Sequence, residues 1–352
     1  MHVRRSFRHY GLAVLLALAA AGLPLWARAG VGLATLPGLQ GDGPVTVFYP
    51  TAAADQAVHR GPFTLQAAEN AEPARGNGRL VVISHGSGGN AWVHSDLART
   101  LAQDGFVVAV PEHHGDNARD PSDPGPDSWK LRPAEVSRAI DLLARSPRFA
   151  PLFDAQRVGV YGMSAGGHTA LSFAGGRWSP ALFARHCEAH IAQDFPACVG
   201  LITRLRDDLF DGLKERVALL VIRHRFDDAA WQVHDDPRVQ AVVAGVPFAA
   251  DFDPASLAHP RVPLGLVLAD HDKWLAPRFH GGAILAACRP RCELVAEIAD
   301  GGHGALLSPP PPMSVLPPIA QDLLADPPGF DRAQLPAVDR RIAAFFVAHL
   351  LP

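Results

Sequence analysis

Apolar runs of strand length alternate along this chain with stretches whose apolar positions repeat every three or four residues. Leu80 to Ser84, Phe106 to Val110 and Val158 to Tyr161 read as buried strands. Trp92 to Gln103 and Ala134 to Arg145 read as amphipathic helices between them, the second with Val136, Ile140 and Leu143 on one face. Ala165 to Phe173 opens a further helix. Val239 to Val246, Leu264 to Leu268 and Leu294 to Ile298 are further strands, and Val338, Ile342, Phe345 and Phe346 mark a closing helix. Strands that are apolar throughout and alternate with helices predict an α/β fold, a mostly parallel, doubly wound sheet covered on both faces.

Two regions break the alternation. Residues 175–236 are too long for a simple connection and carry their own helical pattern, as at Leu201 to Leu213, which predicts a helical cap-like insertion. Ser308 to Pro318 is proline-rich and reads as a stiff extended loop.

The first 29 residues read as a signal peptide ahead of a single domain over 30–352. Arg4, Arg5 and Arg8 precede the apolar run Gly11 to Leu25, and Ala27-Arg28-Ala29 supplies a cleavage site. Arg4-Arg5-Ser6-Phe7 also fits a twin-arginine signal, although Val3 stands where serine or threonine is usual. An uncleaved membrane anchor is the other reading. No later stretch is apolar for long enough to span a membrane without a charge or proline, so no stable span is expected in the mature chain.

Composition narrows the picture. Among 352 residues, 32 Lys+Arg face 35 Asp+Glu, a net charge of −3 that argues against nucleic-acid binding. At 48% hydrophobic and 19% charged, the chain has ample material for a large core. The 32 glycines and 32 prolines predict many turns and exclude a coiled coil. The four cysteines fit an exported, periplasmic or secreted protein, the simplest pairing being Cys187 with Cys198 and Cys288 with Cys292.

The candidate chemistry begins at Gly162-Met163-Ser164-Ala165-Gly166, a G-x-S-x-G between a strand and a helix. A serine there is held at the sheet's carboxyl edge beside a helix N-terminus, and it needs a base to become a nucleophile. In the order Ser, acid, His expected of this setting, His303 in Asp300-Gly301-Gly302-His303-Gly304 is the base. Asp272 is the preferred acid, ahead of Asp270 on the same strand end, with Asp251 and Asp253 in reserve. The oxyanion donors are expected at the amides of Ala165 and of Ser87 in His85-Gly86-Ser87-Gly88-Gly89. His113, His114 and Asp116 suit a loop rimming the pocket better than a metal site, and His168 a packed helix residue. No phosphate-binding or dinucleotide motif occurs, and no cofactor or metal is expected.

Ile83-Ser84-His85-Gly86, Gly105 to Val110, Glu112-His113-His114-Gly115-Asp116 and Gly162 to Gly167 together resemble the α/β-hydrolase fold. Within it the resemblance is to dienelactone-hydrolase-like and platelet-activating-factor-acetylhydrolase-like serine esterases, over roughly residues 43 to 305. It implies that Ser164, His303 and Ser87 are nucleophile, base and oxyanion donor. True dienelactone hydrolases carry cysteine at the place of Ser164. The acetylhydrolases place their acid after the strand here formed by Val239 to Val246, which offers none at the matching point. The expected activity is cleavage of a small-molecule carboxylic ester through an acyl-enzyme. The same three residues would also serve an amidase or peptidase, and a non-catalytic binding protein on a hydrolase scaffold is the remaining reading. Oligomeric state and acyl preference are not legible.

Overall fold

A computed structural model describes residues 30–352, so the signal-peptide reading lies outside the described residues. The strands are β1 (Gly30–Leu36), β2 (Val45–Thr51), β3 (Gln56–Arg60), β4 (Phe63–Glu69), β5 (Leu80–Ser84), β6 (Val107–Pro111), β7 (Val158–Met163), β8 (Val239–Gly245), β9 (Leu264–Ala269) and β10 (Glu293–Ile298). The helices are α1 (Ser95–Gln103), α2 (Pro126–Arg145), α3 (Ala165–Phe173), α4 (Pro180–His190), α5 (Phe195–Val199), α6 (Asp211–Arg225), α7 (Gly281–Cys288), α8 (Pro318–Leu324) and α9 (Leu335–Leu350).

The strands form one ten-stranded sheet in the order β10-β9-β8-β7-β5-β6-β2-β1-β4-β3. From β10 to β6 every neighbouring pair is parallel, and β2 then runs antiparallel to both β6 and β1. This is the doubly wound α/β-hydrolase fold expected from the strand and helix alternation. Its two cores follow from the period of two in a strand. Leu80, Val82, Val158 and Val160 face the side covered by α2, α3 and α7, whereas Val81, Ile83, Tyr161 and Met163 face the side covered by α1 and α9. Strands buried on both faces have no polar positions to alternate, which is why they read as unbroken apolar runs.

Two local expectations are corrected. Helix α2 begins at Pro126, two turns before Ala134, and runs through Pro133. A proline reads as a breaker because it lacks an N–H, yet the loss of one hydrogen bond is tolerated in this packed helix. In the insertion, residues 201–210 are irregular and the helix is α6, starting at Asp211. Ile222, Leu219 and Ala218 of α6 turn toward the core, but Leu213, Val217, Leu220 and Val221 are exposed. With apolar residues on both faces, periodicity could not place this helix.

Both disulfides pair near neighbours: Cys187–Cys198 ties α4 to α5, and Cys288–Cys292 closes the turn after α7. Among the described residues no helix is long and apolar enough to cross a membrane.

Candidate active site

The carboxyl ends of the parallel strands β5, β7, β9 and β10 lie along one edge of the sheet, so the loops that leave them can converge. Ser164 occupies the turn from β7 to α3 with φ 59° and ψ −118°. A non-glycine residue in that region costs on the order of 1–3 kcal/mol and persists only where the surroundings impose it. They do so here by close backbone approach. A Cβ on Gly162 would stand 1.9 Å from the Gly166 carbonyl oxygen, and one on Gly166 would stand 1.9 Å from that of Ser84. The two glycines let strand and helix meet at a sharp angle that projects the serine hydroxyl from the sheet edge.

His303 opens a short 3-10 turn after β10, and its Nε2 lies 3.0 Å from Ser164 Oγ. Its Nδ1 lies 2.7 Å from Asp272 Oδ2. The carboxylate accepts, so Nδ1 carries the proton and Nε2 is free to accept from the serine. Asp272 is itself held: its Oδ1 accepts the N–H groups of Trp274 and Leu275, each at 2.8 Å. The Trp274 ring packs on the imidazole with centroids 5.1 Å apart. The two loops are joined by the His271 N–H, which donates to the Gly301 carbonyl at 3.0 Å. His303 and Asp272 are buried, while Ser164 is partly exposed.

The other acids lie elsewhere. Asp270 is exposed, Asp253 pairs with Arg177, and Asp251 pairs with His168 at 3.0 Å in a fully buried contact. His168 is thus a packed helix residue, as expected.

The His85–Gly89 loop passes beside the serine: a Cβ on Gly86 would lie 3.3 Å from Ser164 Cβ. The Ala165 amide is in the first turn of α3, where backbone N–H groups have no helical partner. Neither it nor the Ser87 amide donates to an acceptor among the described residues. Both amides expected as oxyanion donors are therefore unengaged among the described residues, one directly after Ser164 and the other in the loop that touches it at Gly86.

The pocket-rim expectation for His113 and Asp116 is corrected, because both point inward and are fully buried. His113 contacts Glu135 Oε2 at 2.5 Å and Ser84 Oγ at 2.7 Å. Burial, with Arg132 adding to it, drives the His113 imidazole well below its ordinary pKa and so keeps it neutral. Asp116 pairs with Arg132 at 2.7 Å. Among the described residues no group of His, Cys, Asp and Glu is arranged to hold a metal ion. Trp274, Arg132 and Glu135 escaped the sequence reading. No motif marks them; Arg132 lies ahead of Ala134, where the helix was expected to begin, and Glu135 in its first turn.

Residues 55–121 match the family model of platelet-activating factor acetylhydrolase, isoform II. The matched stretch runs from β3 to the loop beyond β6 and includes the His85–Gly89 loop but ends before Ser164. No curated protein matches the chain significantly. With its ten-stranded, mostly parallel sheet the chain has an α/β-hydrolase fold, and over residues 55–121 it is similar to a family of carboxylic ester hydrolases.

Proposed function

We propose that the chain is an exported serine esterase that cleaves carboxylic esters through an acyl-enzyme. The observation that carries this reading is the hydrogen-bonded series Ser164–His303–Asp272, whose members come from three separate loops. His303 takes the Ser164 proton as Oγ attacks the ester carbonyl, and gives it to the departing alcohol. Asp272 holds the imidazole tautomer and stabilises its charged form. The Ser87 and Ala165 amides receive the oxyanion, aided by the positive end of α3. Water, deprotonated by His303, then attacks the acyl-enzyme, and the tetrahedral intermediate collapses to the free acid and Ser164.

The insertion, residues 175–236, is read as a cap near the site. Phe183 of α4 packs on Phe248, with ring centroids 5.5 Å apart, and the Phe248 N–H donates to the Ser164 carbonyl at 3.1 Å. Export is supported by the basic and apolar pattern of residues 1–29 and by two disulfides, which persist in an oxidising compartment.

The test is hydrolysis of p-nitrophenyl esters by the purified chain and by Ser164→Ala. Turnover by the parent and a fall of roughly 10⁴–10⁶ in kcat for the variant are expected. A variant as fast as the parent contradicts the reading. So does a parent that cleaves anilides but no ester.

A further inference from the structure

A fully buried ion pair stands beneath the oxyanion loop and takes no direct part in the scheme above. Asp116, in the loop after β6, and Arg132, on α2, are both 0% exposed. Such pairs are poor stabilisers, since desolvating two charges offsets much of their attraction and apolar replacements are often as stable. A reason for this pair is found in what its spare bonds hold.

Asp116 Oδ1 accepts the Ser87 hydroxyl at 2.5 Å and the Gly88 N–H at 3.0 Å. Its other oxygen accepts Arg132 Nη2 at 2.7 Å and the Ser128 hydroxyl at 3.3 Å. Arg132 Nη1 donates to the His85 carbonyl at 2.5 Å. The pair thus grips three successive parts of the loop: the His85 carbonyl, the Ser87 side chain and the Gly88 amide. Burial works to raise the Asp116 carboxyl, but Arg132, Ser87 and the Gly88 amide outweigh it and hold the group below its ordinary range, ionised as an acceptor.

The intervening peptide is fixed by its carbonyl. His85 Nε2 accepts the His113 N–H at 3.2 Å, so its proton is on Nδ1, which donates to the Gly86 carbonyl at 2.7 Å. The Gly89 N–H donates to the same oxygen at 3.0 Å. A peptide is planar and trans, so its C=O and N–H point in opposite directions. With the Gly86 carbonyl tied inside the loop, the Ser87 N–H faces out of it.

We propose that Asp116, braced by Arg132, is a positioning residue that holds the His85–Gly88 loop so that the Ser87 amide meets the oxyanion. The proposal rests on the reading of Ser164 as nucleophile and adds to it the device that sets one oxyanion donor. An oxyanion donor is worth about 10²–10³ in kcat, and a small misplacement forfeits much of that.

The test compares Asp116→Asn and Ser87→Ala with the parent on one p-nitrophenyl ester. In Asp116→Asn either the amide NH₂ faces Arg132 or the acceptor for the loop is lost. Its kcat should fall by about 10², with KM within about two-fold. Ser87→Ala keeps the Gly88 bond and should lose about 5-fold or more in kcat. Inhibition by a trifluoromethyl ketone, whose adduct with Ser164 is itself an oxyanion, should weaken by the same factor as kcat/KM falls. A merely structural role would not tie these two quantities together.

Folded variants with parental kcat, or with KM raised and kcat unchanged, overturn the proposal. If Asp116→Asn does not fold, Ser87→Ala decides, and parental kcat and ketone affinity in it overturn the proposal. Ser164→Ala separates the two levels. Its retained activity sinks the nucleophile assignment, whereas an inactive Ser164→Ala beside fully active loop variants sinks the positioning role alone.

Discussion

The sheet's carboxyl edge and the 175–236 insertion treat polar and apolar groups in opposite ways. At the edge, charged and polar side chains are buried and paired: His303 with Asp272, His113 with Glu135, Asp116 with Arg132. On the insertion, apolar side chains face water. Ten of the fourteen large apolar residues exposed among the described residues lie there, including Leu209, Phe210, Leu213 and Leu220. Buried polar networks restrict a structure to one arrangement because any other leaves a group unsatisfied. Exposed apolar groups impose no such restriction. The edge is therefore built for fixed geometry, whereas the insertion is held by its inner apolar face, the Cys187–Cys198 bridge and a buried contact of Asp194 with His280.

This contrast separates activity from stability and can be broken at either side. The largest effect is expected at Asp272→Asn, which should lower kcat by about 10³–10⁴ while leaving the melting temperature within a few degrees, because the carboxamide keeps the volume but not the imidazole tautomer. Steady-state kinetics and thermal melts on one preparation check it, and a loss below ten-fold would remove the acid from the account. On the insertion, Cys187→Ser paired with Cys198→Ser should do the reverse. Opening a loop of 11 residues should cost about 2–3 kcal/mol, lowering Tm by several degrees with kcat at 25 °C near parental. If kcat collapses while the fold persists, insertion and edge are not independent.

A third site lies away from both. Burial pushes the Asp339 carboxyl on α9 up to about 7, with Asp96 acting in the same direction and Arg340 against it. A carboxyl raised on folding favours the folded state in its protonated form. That stability is fully present below the unfolded value, near 4, and is lost as pH rises through 7. Asp339→Asn should gain on the parent as pH rises, with a Tm advantage at pH 8 larger than at pH 5 by about 3 °C. Equal advantages at both pH values would contradict the assignment. The smallest effect is expected at Leu220→Ser with Val221→Ser on the outer face of α6, within about 0.5 kcal/mol in stability. A larger loss would mean that this face is covered.

The legible and illegible parts of the molecule divide along the same physical line. Strands β5 to β9 were readable because nearly all their positions are buried, and the meeting of Ser164, Asp272 and His303 could be anticipated because each follows the end of a parallel strand. The supports of the site were not. Arg132 and Glu135 are charged residues on a helix, a pattern that normally means a solvated face, and Pro133 set the expected helix start just after Arg132. His113 and Asp116 follow a strand end and so suggested a pocket rim. Their inward direction depends on partners on α2, about twenty residues further along the chain. The start of α6 was misplaced because apolar residues occupy both of its faces.

The central claim is that Ser164 is made nucleophilic by His303, and covalent labelling tests it most directly. A fluorophosphonate should modify the folded chain once, at Ser164 by peptide mapping, and at a rate at least 10²-fold lower in His303→Ala. Labelling of another residue, or an undiminished rate without the imidazole, would contradict the account.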